Sequence, residues 1–413
     1  MTHEAIEHFA GRVLYIARAP FVSGAERALM TLLRHLDRAR VEPHLVLGQE
    51  TDLLRQAGGL GVPVTIIPLA KRQKSQWIFW RRSCKKLKRL MREIGPAAVH
   101  ANDVPSGQAM SVVAGGLGVP RVMHVRWTIT SAAACWWARD GAEAVVCISE
   151  WVRGQLGQTK GTALETAMVE VIPDAVDWPA EEGVPDAKPQ AAGAKPQAAG
   201  AKPPAAGLRE QRVLGFSGQL IESKGLDLVI EAMGMMPAAK RPRLLVAGED
   251  TQTRGAYQAT LQALAERVGV AGCVEWLGFL DDVTTLHRRV HAMVCPSREE
   301  PLGLVPLEAA RFGVATVANR VGGLAETILD GQTGYLVEPT ADAWAAALAR
   351  LADAAPDALA RLGRAAHERT RTLYSPMAYQ QKLMALYARI AHPQNAALRA
   401  AAKRGPRPLI SDP

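Results

Sequence analysis

The sequence predicts an α/β protein in which two domains are each built on a doubly wound parallel sheet. Three observations carry that prediction. Short apolar runs alternate with segments of helical spacing, which is the pattern of strand–helix–strand units. The alternation breaks at one low-complexity stretch and then starts again. With 413 residues, 48% of them hydrophobic, the chain can fill two full cores.

Arg12 to Ile16 reads as the first buried strand, followed by a loop from Ala17 to Gly24 and a helix from about Ala25 to Leu36. Further strands are expected at His44–Leu47, Val64–Ile67, Ala98–His100, Arg121–Val125, Ala144–Ile148 and Val169–Ile172. Residues 1–180 make the first domain. Residues 181–208 contain AKPQAAG, AKPQAAG and AKPPAAG. Each copy holds Pro and Gly but no large apolar residue, so the stretch reads as an extended linker and not a coiled coil. The second domain, 209–375, is expected to hold strands at Val213–Phe216, Leu244–Ala247, Val274–Leu277 and Ala292–Cys295. Its first helices are expected at Leu226–Met235 and Tyr257–Val268, with others near Asp342–Ala352 and Pro356–Leu373. A helix over 376–391 and a basic tail over 392–413 close the chain.

The most informative stretch runs from Met293 to Val337. It reads as strand, loop, helix and strand, with Pro306 in the first turn and Gly313 just past the helix end. Glu300 and Glu308 flank the loop-to-helix junction eight residues apart, with Gly303 between them. The unpaired N–H groups of a helix start suit an anion such as a diphosphate. A carboxylate before the helix and one in its first turn would then take hydroxyls on either side of that diphosphate, a sugar on one side and a ribose on the other.

In order, Pro296-Ser297, Glu300-Pro301-Leu302-Gly303-Leu304, Glu308, Gly322-Gly323, Glu326 and Asp330-Gly331 with Gly334 resemble the retaining glycosyltransferases of family 4. The one local departure is Leu302, where the family has Phe. The resemblance covers most of residues 12–390 except the linker. It implies the GT-B fold: two Rossmann-like domains facing across a cleft, hinged at the linker, with the C-terminal helix crossing back to the first domain. It implies a nucleotide-sugar donor, with Glu300 and the Gly303 and Leu304 amides on the sugar, Glu308 on the ribose and Lys224 on the diphosphate. Phe216-Ser217-Gly218-Gln219 with Lys224-Gly225 matches the second phosphate element, but Gln219 stands where the family has Arg, which leaves Lys224 and Arg298 to supply charge. Ser23-Gly24-Ala25-Glu26 fits the first-domain glycine loop facing the donor, although Gly24 also fits a plain turn. In Val122-Met123-His124-Val125-Arg126, Arg126 takes the place of the family's histidine and His124 sits two residues earlier on the same strand face. Either would stabilise charge at the reacting centre, or His124 is simply structural. His100, Asn102 and Asp103 are acceptor-side candidates that read equally well as turn chemistry.

Other chemistry finds little support. No Ser-His-Asp order or metal-spaced cluster stands out, so neither a metal nor any other cofactor is expected. Asp281-Asp282 reads as a helix N-cap. The five cysteines are scattered without a CxxC, which suits reduced thiols in the cytoplasm. No apolar run is long enough to span a membrane, and the N-terminus, with Glu4 and Glu7, does not read as a secretory signal.

The net charge of +9 comes from one place, since residues 71–92 hold ten Lys/Arg and no acid, leaving 39 basic against 40 acidic elsewhere. Within Lys71–Arg92, the residues Trp77, Trp80, Cys84, Leu87, Met91 and Ile94 form a helical apolar stripe beside a Trp-Ile-Phe-Trp run. That combination points to an anionic membrane surface at the inner face of the plasma membrane, the alternative being a solvated basic face. A nucleic-acid partner is not expected, because no binding module accompanies the patch. The expected reaction is retaining transfer of a sugar to a sugar or lipid-linked acceptor. The resemblance places it in cell-surface glycan assembly. A nucleotide-sugar epimerase and a non-catalytic binding module of the same fold are the alternatives.

Overall fold

A computed structural model of the chain describes residues 9–18, 24–129, 141–156, 165, 167–178 and 211–392. The AKPQAAG repeats, Ser23, Cys135 and the basic tail beyond His392 lie outside these residues. The chain divides into two compact units: Met1–Asp177 with Tyr374–Pro413, and Trp178–Leu373.

The first unit runs β1 (Gly11–Ala17), α1 (Gly24–His35), β2 (Val41–Leu47), α2 (Asp52–Gly59), β3 (Val64–Ile66), α3 (Trp77–Ile94), β4 (Ala98–Ala101) and α4 (Val104–Leu117). It continues with β5 (Arg121–Val125), β6 (Ala144–Cys147), α5 (Glu150–Leu156) and β7 (Met168–Val171). The sheet order is β3-β2-β1-β4-β5-β6-β7, and every pairing is parallel. Strand order therefore reverses between β1 and β4, the place where ligands bind in such sheets. β1 is apolar on both faces because both are covered; Val13, Tyr15 and Ala17 join the core that also holds Leu29 and Leu33 of α1. β2 starts three residues earlier than the sequence reading places it and includes Pro43. Its missing N–H is harmless there, because β3 pairs only with Leu45–Leu47.

The second unit runs β8 (Val213–Ser217), α6 (Leu226–Met235), β9 (Arg243–Ala247), α7 (Ala256–Arg267), β10 (Val274–Gly278), α8 (Thr284–His287), β11 (Ala292–Cys295) and α9 (Leu304–Arg311). Then follow β12 (Ala315–Asn319), α10 (Leu324–Thr327), β13 (Gly334–Val337), α11 (Ala341–Asp353) and α12 (Pro356–Leu373). The order β10-β9-β8-β11-β12-β13 is again all parallel, with its reversal between β8 and β11. The core packs Phe216, Val246 and Val294 of the sheet against Val229, Met233, Trp344 and Leu348 of the helices. Both units are thus doubly wound α/β sheets, as the alternation predicts.

The last helix, α13 (Pro376–Ala391), belongs to the first unit. Ser375 caps it, and Tyr379, Leu383, Leu386, Tyr387 and Ile390 enter the first core. Among the described residues no helix is long and apolar enough to cross a membrane.

Candidate active site

In the second unit the loops after β8, β11 and β12 converge at the strand-order reversal. The turn after β8 is pressed against the end of β11: a side chain at Gly225 would come within 2.0 Å of the Pro296 carbonyl oxygen, and its φ of +67° also favours glycine. The Arg298 amide donates to the Ser223 carbonyl at 2.8 Å, tying the two loops together. On the far side, the Gly323 amide donates to the Glu300 carbonyl at 2.8 Å, and a side chain at Gly322 would lie 2.3 Å from that oxygen. Gly322-Gly323 therefore sets the backbone that carries Glu300.

These constraints place the Lys224 ammonium 2.6 Å from Glu300 Oε2, with the Ser297 hydroxyl 3.2 Å from the same oxygen. Burial works against the Lys224 charge, but Glu300 outweighs it and holds the ammonium above its ordinary pKa. Glu300 is 15% and Lys224 30% exposed, so the pair is shielded yet reachable. Next to it, α9 begins at Leu304 behind its N-cap Gly303, which has a φ of +95°, and no side chain caps this end. Its first amides are thus directed at whatever lies before the helix.

Several assignments shift. Glu308 stands on α9 in its second turn, not its first, because the helix begins at Leu304. Arg298 is not a free phosphate cation: its guanidinium forks onto Asp227 at 2.9 and 2.5 Å and also donates to the Glu222 carbonyl. Gln219 is exposed, and Gly218, at the end of β8, hydrogen-bonds to Ala247 of β9. Leu302 is buried, so its departure from Phe is a change in loop packing. The Asp330-Gly331 motif is turn chemistry, with Asp330 accepting from the Leu336 amide at 3.0 Å and pairing with Arg320. Asp282 caps the short α8 through the Thr284 amide at 2.9 Å, although the N-cap position itself is Val283.

Asn319, at the end of β12, escaped the sequence reading. It is fully buried and donates to the carbonyls of Pro296 and Ser297 at 2.6 and 3.0 Å, while Trp344 Nε1 donates to its Oδ1 at 2.7 Å. It braces the loop that carries Glu300. An asparagine closing a small-residue strand was the available signal.

In the first unit a cavity of about 910 Å³ opens at the carboxyl ends of the strands, over the β1/β4 reversal. Arg18, Glu26, Gln49, Gln76, Asp103 and Trp127 supply its polar and aromatic lining. Glu26 is buried at the start of α1, which begins at the exposed Gly24. Asp103 caps α4 through the Ser106 amide and accepts the Arg18 amide at 2.9 Å; burial pushes its carboxyl up in spite of these bonds. Arg18 and Gln49 are lining residues that the sequence reading did not single out. Their only signal is position, directly after β1 and β2.

Arg126, His124, His100 and Asn102 are held in a buried network. The Arg126 guanidinium donates to both oxygens of Asp174 at 3.1 and 2.8 Å, to Asn102 Oδ1 at 2.9 Å and to the Tyr379 hydroxyl at 3.3 Å. The anion expected beside a buried arginine is therefore supplied by the chain itself. His124 stacks on His100 and shares a hydrogen bond with it at 3.2 Å; His100 meets the Tyr387 hydroxyl of α13 at 2.5 Å. Burial, reinforced by Arg126, lowers His100 to about 3 and His124 well below its ordinary value. These four lie in this network and do not line the cavity, which of the acceptor-side set only Asp103 reaches. No group of three or more potential metal ligands occurs among the described residues.

A pH dependence follows. Histidines that stay neutral when folded leave stability untouched above pH 6.5. They cost it as pH falls, since only the unfolded chain takes up protons, at about 1.4 kcal/mol per pH unit each. Asp103 and Asp174, raised by burial, oppose this at lower pH. The first unit should accordingly lose roughly 2–3 kcal/mol per unit between pH 6 and 5. Calorimetry at pH 7, 6 and 5 checks this, and a flat profile in that window contradicts it.

Comparison with known proteins places these geometries. Residues 22–178 match the family model described as Glycosyltransferase Family 4, and residues 202–369 match Glycosyl transferases group 1. The chain is 36% identical over 159 residues to D-inositol 3-phosphate glycosyltransferase of Segniliparus rotundus, covering 38% of this chain and 35% of that one. It is 34% identical over 128 residues to the lipopolysaccharide core biosynthesis mannosyltransferase LpcC of Rhizobium leguminosarum bv. viciae, covering 31% and 36%. The matched segments thus span about a third of these two relatives. The crystal structure of Anabaena Alr3699/HepE in complex with UDP and glucose superposes with a TM-score of 0.72 at 18% identity, covering 90% of this chain and 98% of that one. At that identity the likeness is one of fold.

Proposed function

This chain belongs to the group 1 and family 4 glycosyltransferases, and on that premise we propose that it transfers a sugar from a nucleoside diphosphate donor to an acceptor hydroxyl with retention of configuration. The observation that carries the proposal is the Lys224–Glu300 pair at 2.6 Å, held between two glycine-set loops in front of the uncapped start of α9. Lys224 and the α9 amides take the diphosphate and stabilise it as it leaves. Glu300, with the amides of Gly303 and Leu304, orients the sugar, and Glu308 takes the ribose hydroxyls. The C1–phosphate oxygen bond breaks, the C1–acceptor oxygen bond forms on the same face, and the acceptor proton passes to the departing phosphate oxygen. No separate protein base is needed, so the residues position and stabilise charge.

The first unit's cavity, with the carboxylates of Glu26 and Asp103 and the face of Trp127, is the acceptor side. Helix α3 is its membrane-facing element, which suits a lipid-linked acceptor in cell-surface glycan assembly. The reaction as proposed uses neither metal nor other cofactor.

Incubation with UDP-, GDP- and ADP-sugars, following free nucleoside diphosphate, tests the proposal. Release with one of the three is the expected result. A donor present at 100 times its Kd should also stabilise the protein by about 2.7 kcal/mol. Neither release nor stabilisation by any of them would refute the proposal. Glu308→Ala should weaken both the donor and the free nucleoside diphosphate by roughly 1.5–3 kcal/mol, the range for charged hydrogen bonds. Titration calorimetry with the nucleoside diphosphate reads this directly, and unchanged affinity in a folded variant removes Glu308 from the ribose.

A further inference from the structure

Helix α3 buries Trp80, Leu87 and Met91 of the stripe that its sequence spacing suggests and half-buries Cys84 and Ile94, but leaves Trp77, at its start, out. Trp80, Ser83, Leu87 and Met91 face the core, whereas Trp77, Ile78 and Phe79 are 44%, 65% and 61% exposed. Trp77 stacks on Trp80 at 5.3 Å, and the Arg72 guanidinium lies 5.1 Å from the Trp80 ring, so this exposed turn has a fixed base. Beside it a groove of about 590 Å³ runs between α3 and α4. One wall carries Arg81, Arg82, Lys85 and Lys88, and Val112, Val113 and Gly116 of α4 lie opposite. Among the described residues Arg81, Arg82, Lys85 and Lys88 have no carboxylate partner. These four cations are therefore open to an anionic ligand.

We propose that the α3–α4 groove docks an anionic phospholipid, its phosphate on the cations and its acyl chain along Val112, Val113 and Ile78, while Trp77, Ile78 and Phe79 enter the leaflet. Charge complementarity selects an anionic ligand, and the aliphatic wall selects a lipid. Nucleic acid would use Trp77 and Phe79 for stacking but would leave Ile78 and the valine wall without a role. Phe79 and Gln76 also line the acceptor-side cavity, so one helical turn separates the groove from that cavity. A docked leaflet would therefore lie at the cavity rim, where a lipid-borne acceptor arrives. The inference rests on the membrane-facing reading of α3 but not on the transfer reaction, and its test contains no sugar donor.

Vesicle co-sedimentation on the full chain tests it, with neutral phosphatidylcholine vesicles and with vesicles rich in phosphatidylglycerol. Two variants of equal charge are compared: R81Q/K85Q/K88Q in the groove and K86Q/R89Q/R92Q outside it. All six side chains are exposed, so both variants should fold, and their melting curves check this. Each cation at an anionic leaflet contributes about a fivefold gain in partitioning, so the groove variant should lose roughly a hundredfold and the other less than tenfold. Ile78→Ser with Phe79→Ser should abolish the fraction that stays bound at 1 M salt, where screening shortens to about 3 Å. Equal losses in the two charge variants would mean diffuse attraction and overturn the site. So would equal binding to neutral vesicles, or displacement of the protein from anionic vesicles by RNA that it binds more tightly.

Discussion

Replacing Lys224 with methionine should lower kcat for sugar transfer by roughly 10² to 10³, the range seen when one preorganised charge-stabilising donor is removed. The ammonium sits 2.6 Å from Glu300 and is held above its ordinary pKa, so it carries its full charge at neutral pH. The Lys224–Glu300 pair stands ready before any donor arrives, and the diphosphate must share or take over the ammonium. Two consequences separate this role from a merely structural ion pair. Lys224→Arg keeps the charge and should recover part of kcat, whereas a packing role would favour methionine. Glu300→Gln and Lys224→Met should also be strongly non-additive, because both act on one leaving event. Steady-state kinetics on the four proteins of the cycle provides the measurement. A Lys224→Met enzyme within threefold of wild type in kcat would remove Lys224 from the chemistry.

The donor-side loops were legible because their demands are local. A helix start needs its punctuation within a few residues, and Gly303, Pro306 and Gly313 sit where that punctuation belongs. Strand–helix alternation is local as well, and each strand expected from it appears within a few residues of its place, although β13 was not foreseen. What stayed hidden depends on partners far away in the chain. Arg126 finds Asp174 across 48 positions, and His100 finds Tyr387 across 287. Arg298 is taken by Asp227 from 71 positions away, so its cationic charge is used before any phosphate arrives. Asn319 braces the Glu300 loop through backbone carbonyls, which carry no sequence signature. The exposed turn of α3 was hidden for a different reason. Spacing of three and four identifies an apolar stripe but not which end of the helix runs past the sheet it packs on.

Arg126→Leu should destabilise the first unit by about 3–5 kcal/mol, the cost of leaving a buried carboxylate without its partner. Asp174 is fully enclosed, and burial already pushes its carboxyl up against the opposing pull of Arg126. Without the guanidinium, Asn102 and the Tyr379 hydroxyl of α13 also lose a partner, so the effect reaches the helix that closes this core. For a unit of this size the expected fall in Tm is on the order of 10 °C. Arg126→Leu with Asp174→Leu removes both charges and should recover most of that loss, since apolar replacement of a complete buried pair is often neutral. Calorimetry on the single and double variants reads the stability, and transfer assays on the double variant read the function. A double variant that folds, binds donor normally and still transfers sugar makes Arg126 a structural arginine. If it folds and binds donor but transfers nothing, Arg126 returns to the reacting centre, because packing has been restored and only the charge is gone.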